Sequence, residues 1–125
     1  MKTLKQFILD TLLPYKENPE TCGYDETYEQ CVYLTEDGRK CAVGKHMLEG
    51  SWQNSSADVG TLDVKYGLEK ILKKSALEQN LMVDVWDNIQ HYHDVVALNK
   101  GMHSINHAVD LLEKELNIEL DELRY

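Results

Sequence analysis

The sequence predicts an α+β fold in which one two-stranded β-hairpin packs against about four α-helices. First, two β-prone runs flank the dipeptide Asp37-Gly38, which tolerates the positive φ angles of a tight turn. Second, apolar residues recur at helical spacing through most of the remaining chain. A short third strand is compatible with the same pattern. The 125 residues are enough for one hydrophobic core, so a single domain, 1–125, is expected.

The first helix is predicted at about residues 3–15. Thr3 followed three positions later by Gln6 matches a capping box, in which the two side chains satisfy free N–H groups at a helix start. The pair Asn18-Pro19 ends the helix, because the residue before a proline is driven out of the α region.

Helical periodicity resumes at about residue 61 and continues to the end of the chain. The second helix begins there and is predicted to bury Val64. The third runs over about 81–96, and the fourth starts after Asn99 and ends near Asn117.

The register of the hairpin decides whether Cys31 and Cys41 can act together. A two-residue turn at Asp37-Gly38 pairs Cys41 with Leu34 and places the two thiols on opposite faces. A three-residue turn shifts the pairing and makes the thiols diagonal neighbours on one face. The sequence favours neither register.

The charge balance argues against nucleic acid as a partner. Thirteen basic and 22 acidic residues give a formal net charge of −9, and carboxylates occur throughout the chain. Such a field repels a phosphate backbone. An acidic mimic of nucleic acid is the alternative interpretation of the same charge.

The number and spacing of the cysteines, and the hydropathy of the chain, indicate the cellular compartment of the protein. The chain has three cysteines without C-x-x-C spacing, which favours reduced thiols in a cytoplasm over a disulfide framework. No secretory signal is present, and no apolar run approaches the roughly 20 residues that span a bilayer. We expect a cytoplasmic protein without a membrane segment.

Metal binding and thiol catalysis have only weak support in the sequence. Cys31, Cys41 and His46 are zinc-ligand types close in sequence, but they lack the tight C-x₂₋₄-C spacing of structural zinc sites. No metal or other cofactor is predicted; a bound metal would use these three residues. A small zinc- or thiol-dependent hydrolase is the enzymatic alternative, although no catalytic motif supports it.

The dipeptide His93-Asp94 is the stronger candidate for a functional group. His93 lies on the apolar stripe of the third helix, where a histidine is usually satisfied by hydrogen bonds in the core. The functional alternative is a polar group at the bottom of a pocket. If the hairpin packs on this helix, Tyr33, Arg39 or His46 would line the same pocket.

The segment from Gly50 to Gly60 is predicted to be a loop, rich in Ser, Asn and Asp around a single large apolar residue, Trp52. Loops of this length often bind something. Trp52 therefore either anchors the loop in the core or contacts a partner.

Two segments resemble a group of small phage and bacterial proteins of uncharacterised function. Residues 31–44 carry the pattern C-x-Y, a turn, and G-x-K-C-A-[VI]-G, and residues 90–94 read Q-x-x-H-D. The resemblance implies a phage-related origin, hence the cytoplasm of a host cell, and a fold of one hairpin with helices.

These observations together predict a non-catalytic binding module. Its partner would be a host protein, as for an antagonist of host defence, or a small molecule that it sequesters. The residues expected to bind are Tyr33, Arg39, His46, Trp52, His93 and Asp94. An isolated hairpin is marginally stable in water, so helix packing or a homodimer must support it.

Overall fold

The computed structural model describes residues 2–49 and 58–125. Within them the predicted α+β fold is confirmed: a two-stranded antiparallel sheet accompanies six α-helices. The elements in chain order are α1 (Leu4–Glu17), β1 (Tyr24–Asp25), β2 (Gln30–Cys31), α2 (Val59–Tyr66), α3 (Leu68–Ile71), α4 (Lys74–Leu77), α5 (Val83–Ala97) and α6 (Met102–Leu116). Short 3-10 turns lie at Pro19–Thr21, Gly44–His46 and Asp121–Leu123.

Helix α5 is the centre of the domain and contacts α1, α2 and α6. Most of its predicted apolar stripe is buried, with Trp86, Ile89 and His93 at most 1% exposed, whereas Met82, directly before the helix, is 74% exposed. Burying this stripe from three sides supplies much of the hydrophobic stabilisation of so small a chain.

The regular hairpin lies at residues 24–31, upstream of the hairpin predicted around Asp37-Gly38. Strands β1 and β2 pair Tyr24 with Cys31 and Asp25 with Gln30. The Asp25 carboxylate accepts the backbone N–H groups of Thr27 and Tyr28, at 2.9 and 3.2 Å, and so closes the turn. These side-chain bonds shape residues 26–29 into the turn that joins β1 and β2.

The turn at Asp37-Gly38 also forms, but it carries only an isolated bridge between Leu34 and Lys40. Thr35 donates its N–H to the carbonyl of Arg39 at 2.8 Å, which leaves three residues, 36–38, in the turn. The three-residue register of the two alternatives is therefore the one adopted.

The predicted second helix is broken into α2, α3 and α4. Gly67 has a φ of +83° and ends α2, and the helical phase restarts after it. For this reason Val59 and Leu62 are buried, whereas Val64, predicted to face inward, is 90% exposed.

The predicted ends of α1 and α6 are confirmed, but of the capping box only the Thr3 half forms, because the Gln6 side chain bonds Asp10 instead. The Thr3 hydroxyl accepts the N–H of Gln6 at 3.2 Å at the start of α1. Pro14 lies within α1 without ending it. Asn117 takes a left-handed conformation with φ of +54° directly after α6, as helix C-caps commonly do.

The C-terminal tail is packed on the domain. Leu120 and Leu123 are fully buried, and the Tyr92 hydroxyl donates to the Leu123 carbonyl at 2.8 Å. Arg124 pairs with the carboxylates of Asp110 and Glu113 on α6. The tail thereby packs against α1 and α6.

No helix within residues 2–49 and 58–125 has both the length and the apolar character required to cross a membrane.

Candidate functional site

A cavity of about 250 Å³ lies between α5 and the segment of residues 31–41. Side chains from α5, from this segment and from the start of α2 form its walls, and we call it the α5 cavity. Because the walls come from three separated parts of the chain, the cavity exists only in the folded domain.

Helix α5 supplies Asp87, Gln90, His91 and Asp94 to the α5 cavity. With about 3.6 residues per turn, spacings of three, four and seven place these side chains on one face of the helix. This polar face lies opposite the buried stripe, so α5 contributes to the core with one face and to the cavity with the other.

The facing wall is formed by Cys31, Val32, Tyr33 and Cys41. Its position relative to α5 is set by a hydrogen bond from the backbone N–H of Val43 to the Gln90 Oε1 atom, at 3.1 Å. Cys31 is half-buried, while Tyr33 is 5% and Cys41 only 1% exposed. The wall is therefore mainly apolar.

His93 lies directly beneath the cavity and is fully buried. Its Nε2 atom accepts the backbone N–H of Gly23 at 3.0 Å, so the ring proton resides on Nδ1. The Nδ1–H group donates to the Asp94 Oδ1 atom at 2.9 Å. The edge of the ring packs on Tyr15, with 4.7 Å between ring centroids. Both ring nitrogens are satisfied, as the core interpretation of His93 predicts.

The Asp94 carboxylate is held by further neighbours. Gln90 Nε2 donates to the same Oδ1 atom at 2.7 Å, and the Cys31 sulfur lies within 4.8 Å of the carboxylate. Burial in the first place, and then the nearby Asp94 charge, raise the pKa of Cys31 well above its usual range. Cys31 is therefore a neutral thiol beside the carboxylate.

The cavity concentrates negative charge. Asp58, the N-cap of α2, lines it together with Asp87 and Asp94, and none of the lysines and arginines in the described parts of the chain does so. Burial, followed by repulsion from Asp58 and Asp84, raises the pKa of Asp87. A hydrogen bond from the Val59 backbone to Asp87 partly offsets this effect.

The residues predicted to share one pocket do not all converge. Tyr33 and Asp94 line the α5 cavity, and His93 supports it from below. Arg39 instead lies beside Asp37, with its Nε atom 3.1 Å from the carboxylate, and donates to the Cys22 carbonyl at 3.3 Å. The tight turn holds the Arg39 guanidinium in these two contacts, so it does not line the α5 cavity.

His46 lies on another side of the domain, against α1. Its ring stacks on Phe7 at 4.6 Å between centroids, and its Nε2–H group donates to the Thr11 hydroxyl at 2.8 Å. Burial, followed by repulsion from Lys45 and Lys73, lowers the pKa of His46 to about 4. The 3-10 turn of Gly44–His46 directs this side chain away from the cysteines.

The zinc set named from the sequence is consequently not assembled, because His46 is remote from Cys31 and Cys41. In the described parts of the chain, the ligand-type side chains that do converge are Cys31, His93 and Asp94, whose ligand atoms lie within 4.8 Å of one another. Metal coordination needs an unprotonated ring nitrogen with a free lone pair. The hydrogen bonds of His93 occupy both nitrogens, so this set does not fit a metal ion.

The same three residues do not form a nucleophilic triad. In a triad the histidine places one nitrogen on the nucleophile and the other on the acid. Here the Nε2 atom of His93 is blocked by Gly23, and its Nδ1 atom bonds Asp94, so neither nitrogen is placed on the Cys31 thiol. His93 therefore does not act as a general base toward this thiol.

Trp52, predicted to anchor a loop or contact a partner, lies outside the described residues. The structure also reveals site residues that the sequence reasoning missed: Asp58, Asp87 and His91. The polar stripe at Asp87, His91 and Asp94, at helical spacing, was a signal that could have found the α5 wall. Nothing local in the sequence marks Asp58 as its neighbour.

Comparison of the chain with protein-family models, with curated proteins and with solved structures gave no match.

Proposed function

We propose that this protein is a non-catalytic binding module that holds a small ligand in the α5 cavity. Small-molecule sites are typically concave and largely preformed, with apolar walls and a few well-placed polar groups. The α5 cavity has these properties: an apolar wall at Val32 and Tyr33 faces a polar wall on α5.

One observation carries the proposal: the polar groups around Asp94 are bonded to one another rather than arranged for proton transfer. Gln90 uses its oxygen on the Val43 N–H and its nitrogen on Asp94. His93 uses both ring nitrogens. Such a network holds a carboxylate in one orientation, which suits recognition and does not free His93 to act as a base.

A phage-related origin is part of the proposal. It rests on the resemblance of residues 31–44 and 90–94 to small phage and bacterial proteins. We place the protein in the host cytoplasm, where its three free cysteines would stay reduced. Sequestering a host molecule is the function that we infer for it there.

Native mass spectrometry of protein purified from its host tests this function. A wild-type mass that exceeds the denatured mass is expected, and a cavity-filling variant, Cys31→Phe, should abolish the excess. The matched control is Val64→Phe, because Val64 is 90% exposed and remote from the cavity walls.

A wild-type chain without any adduct, combined with a host protein that co-purifies equally with Cys31→Phe, would overturn small-ligand binding. That outcome would leave engagement of a host protein as the function. The same spectra report whether the chain is a monomer or a homodimer.

A further inference from the structure

Carboxylates outnumber the side-chain hydrogen-bond donors of the α5 cavity that face a ligand. Gln90 donates to Asp94, and the remaining N–H and O–H groups of the described walls are those of Tyr33 and His91. The carboxylates of Asp58, Asp87 and Asp94 are acceptors only. A ligand that satisfies this cavity must therefore bring its own N–H or O–H donors.

The charge of the cavity walls further limits the chemical class of ligand that the α5 cavity can bind. Three carboxylates line the cavity, and its described wall residues include no lysine or arginine. Partial burial of the Asp87 carboxylate, followed by repulsion from Asp58 and Asp84, penalises its ionised form and raises its pKa. A positively charged ligand would remove that penalty, whereas an anion would add to it.

The spacing of the carboxylates distinguishes an organic cation from a metal ion. Asp87 and Asp94 are seven residues apart on α5, which is roughly 10 Å along the helix axis. A metal ion needs its oxygen ligands within one coordination sphere of about 2 to 2.6 Å radius. Among residues 2–49 and 58–125, the three carboxylates do not form such a converging set.

Between the two acidic positions the facing wall is apolar. Val32, Tyr33 and Val59 line this part of the cavity. A methylene chain packs favourably on such surface. The cavity volume of about 250 Å³ is sufficient for a short aliphatic chain with a charged group at each end.

We infer that the α5 cavity binds an aliphatic diamine or polyamine, with one ammonium group at Asp87, another at Asp94 and the methylene chain against Val32 and Val59. This inference rests on the proposed function, because it names the class of ligand for the same cavity. Asp58 adds a third acceptor at the mouth formed by the start of α2. Gln90 and His93 act as positioning residues for the Asp94 carboxylate.

The test is isothermal titration of the wild-type protein at pH 7.5 and 150 mM NaCl with a length series: ethylenediamine, putrescine, cadaverine and spermidine. Butylamine has one ammonium group and measures binding through a single charge. MgCl₂ measures the effect of simple ionic screening. Binding should strengthen with chain length and exceed that of butylamine by about tenfold or more, since two charges are engaged instead of one.

Matched variants locate the site. Asp87→Asn and Asp94→Asn should each weaken spermidine binding by about tenfold. The amide oxygen introduced by Asp94→Asn can still accept the His93 proton, and Asp87 is exposed, so both variants are expected to fold. Glu119→Gln removes one negative charge at an exposed position outside the cavity walls, beyond α6, and should leave binding unchanged.

Equal responses to Mg²⁺, butylamine and the diamines would overturn the inference, as would full binding by both cavity variants. If no amine binds but native mass spectrometry still shows a Cys31→Phe-sensitive adduct, the ligand class is wrong and the proposed function stands. If neither amine binding nor an adduct is observed, the proposed function itself fails.

Discussion

Gly23 donates its backbone N–H to the Nε2 atom of His93 across 3.0 Å, although 70 positions separate the two residues in the chain. This bond determines which ring nitrogen of His93 carries the proton, and hence which one donates to Asp94. A single backbone contact thus connects the segment after α1 to the polar wall of the α5 cavity.

Replacing Gly23 with alanine should destabilise the domain by about 2 to 4 kcal/mol. A Cβ atom there would overlap the backbone nitrogen of Cys41 and lie 2.8 Å from the Val32 carbonyl oxygen, so the backbone must move. Urea unfolding followed by circular dichroism measures the loss.

Gly38→Ala is the control for this prediction. A Cβ at Gly38 meets nothing within 4 Å, and its cost comes from the φ of +92° alone. That cost should be about 1 to 2 kcal/mol. A Gly23→Ala variant no less stable than Gly38→Ala would contradict the close packing of Gly23.

His93 should be protonated on Nδ1 in its neutral form, since Nε2 accepts from Gly23. Long-range ¹H–¹⁵N correlation spectra of the imidazole distinguish the two tautomers. Asp94→Asn should leave the tautomer unchanged, because an amide oxygen can still accept the proton. Observation of the Nε2-protonated form would show that the Gly23 bond is absent.

Replacing His93 with leucine should cost about 3 kcal/mol, because it leaves both Gly23 and Asp94 without their hydrogen bonds to a buried side chain. His93→Gln, which retains a polar side chain, should cost less. Thermal melts of the two variants at neutral pH give the comparison. Equal losses would indicate that packing alone determines the effect.

Acid should weaken the fold through His46. Its pKa is lowered to about 4 in the folded protein, below the value of about 6.5 in an unfolded chain. Between these values the unfolded state binds the extra proton, so stability declines as pH falls from about 6.5 to 4. The contribution reaches about 3 kcal/mol at most.

His46→Gln tests the acid prediction, because glutamine can donate to the Thr11 hydroxyl without titrating. Unfolding free energies measured from pH 7 to 4 should decline less steeply for this variant than for the wild type. Identical slopes would assign the acid sensitivity to carboxylates rather than to His46.

The three thiols should differ in reactivity. Burial raises the pKa of Cys22 and Cys41 to about 12, and only Cys31 is partly exposed. An aromatic disulfide reagent at pH 7.5 should therefore react first with Cys31, and more slowly than with a peptide thiol. Cys31→Ser should remove this first phase.

The two buried cysteines should react only as fast as the domain opens. Their labelling rate should follow the unfolding free energy when urea is added at low concentration. Mass mapping that finds Cys41 labelled before Cys31 would contradict the structure of the cavity wall.

Sequence patterns that span only a few residues were sufficient to predict much of the fold. The Thr3 cap, the buried stripe of α5 with His93 inward, and the end of α6 at Asn117 follow from propensity, periodicity and capping. The break at Gly67 was missed, because an isolated glycine is tolerated in many helices and its positive φ arises from packing.

The hairpin shows the limit of local sequence patterns. The Asp37-Gly38 turn forms as its residues predict, yet regular pairing lies at β1 and β2. Past Lys40 the chain turns away instead of pairing, and Gly44 packs so closely that a Cβ there would overlap the Tyr33 carbonyl oxygen. Such close approach depends on the whole domain.

The candidate site, like the fold, could be predicted from local sequence patterns only in part. Residue types and helical spacing on α5 identify Gln90, His93 and Asp94 as polar groups on one element. The way in which distant segments meet decides the rest of the site. It brings Gly23, Cys31 and Asp58 to these α5 groups, and it places His46 and Arg39 elsewhere. Hydrogen bonds and charge repulsion act over a few ångströms in space, so a linear sequence does not contain those distances until the chain has folded.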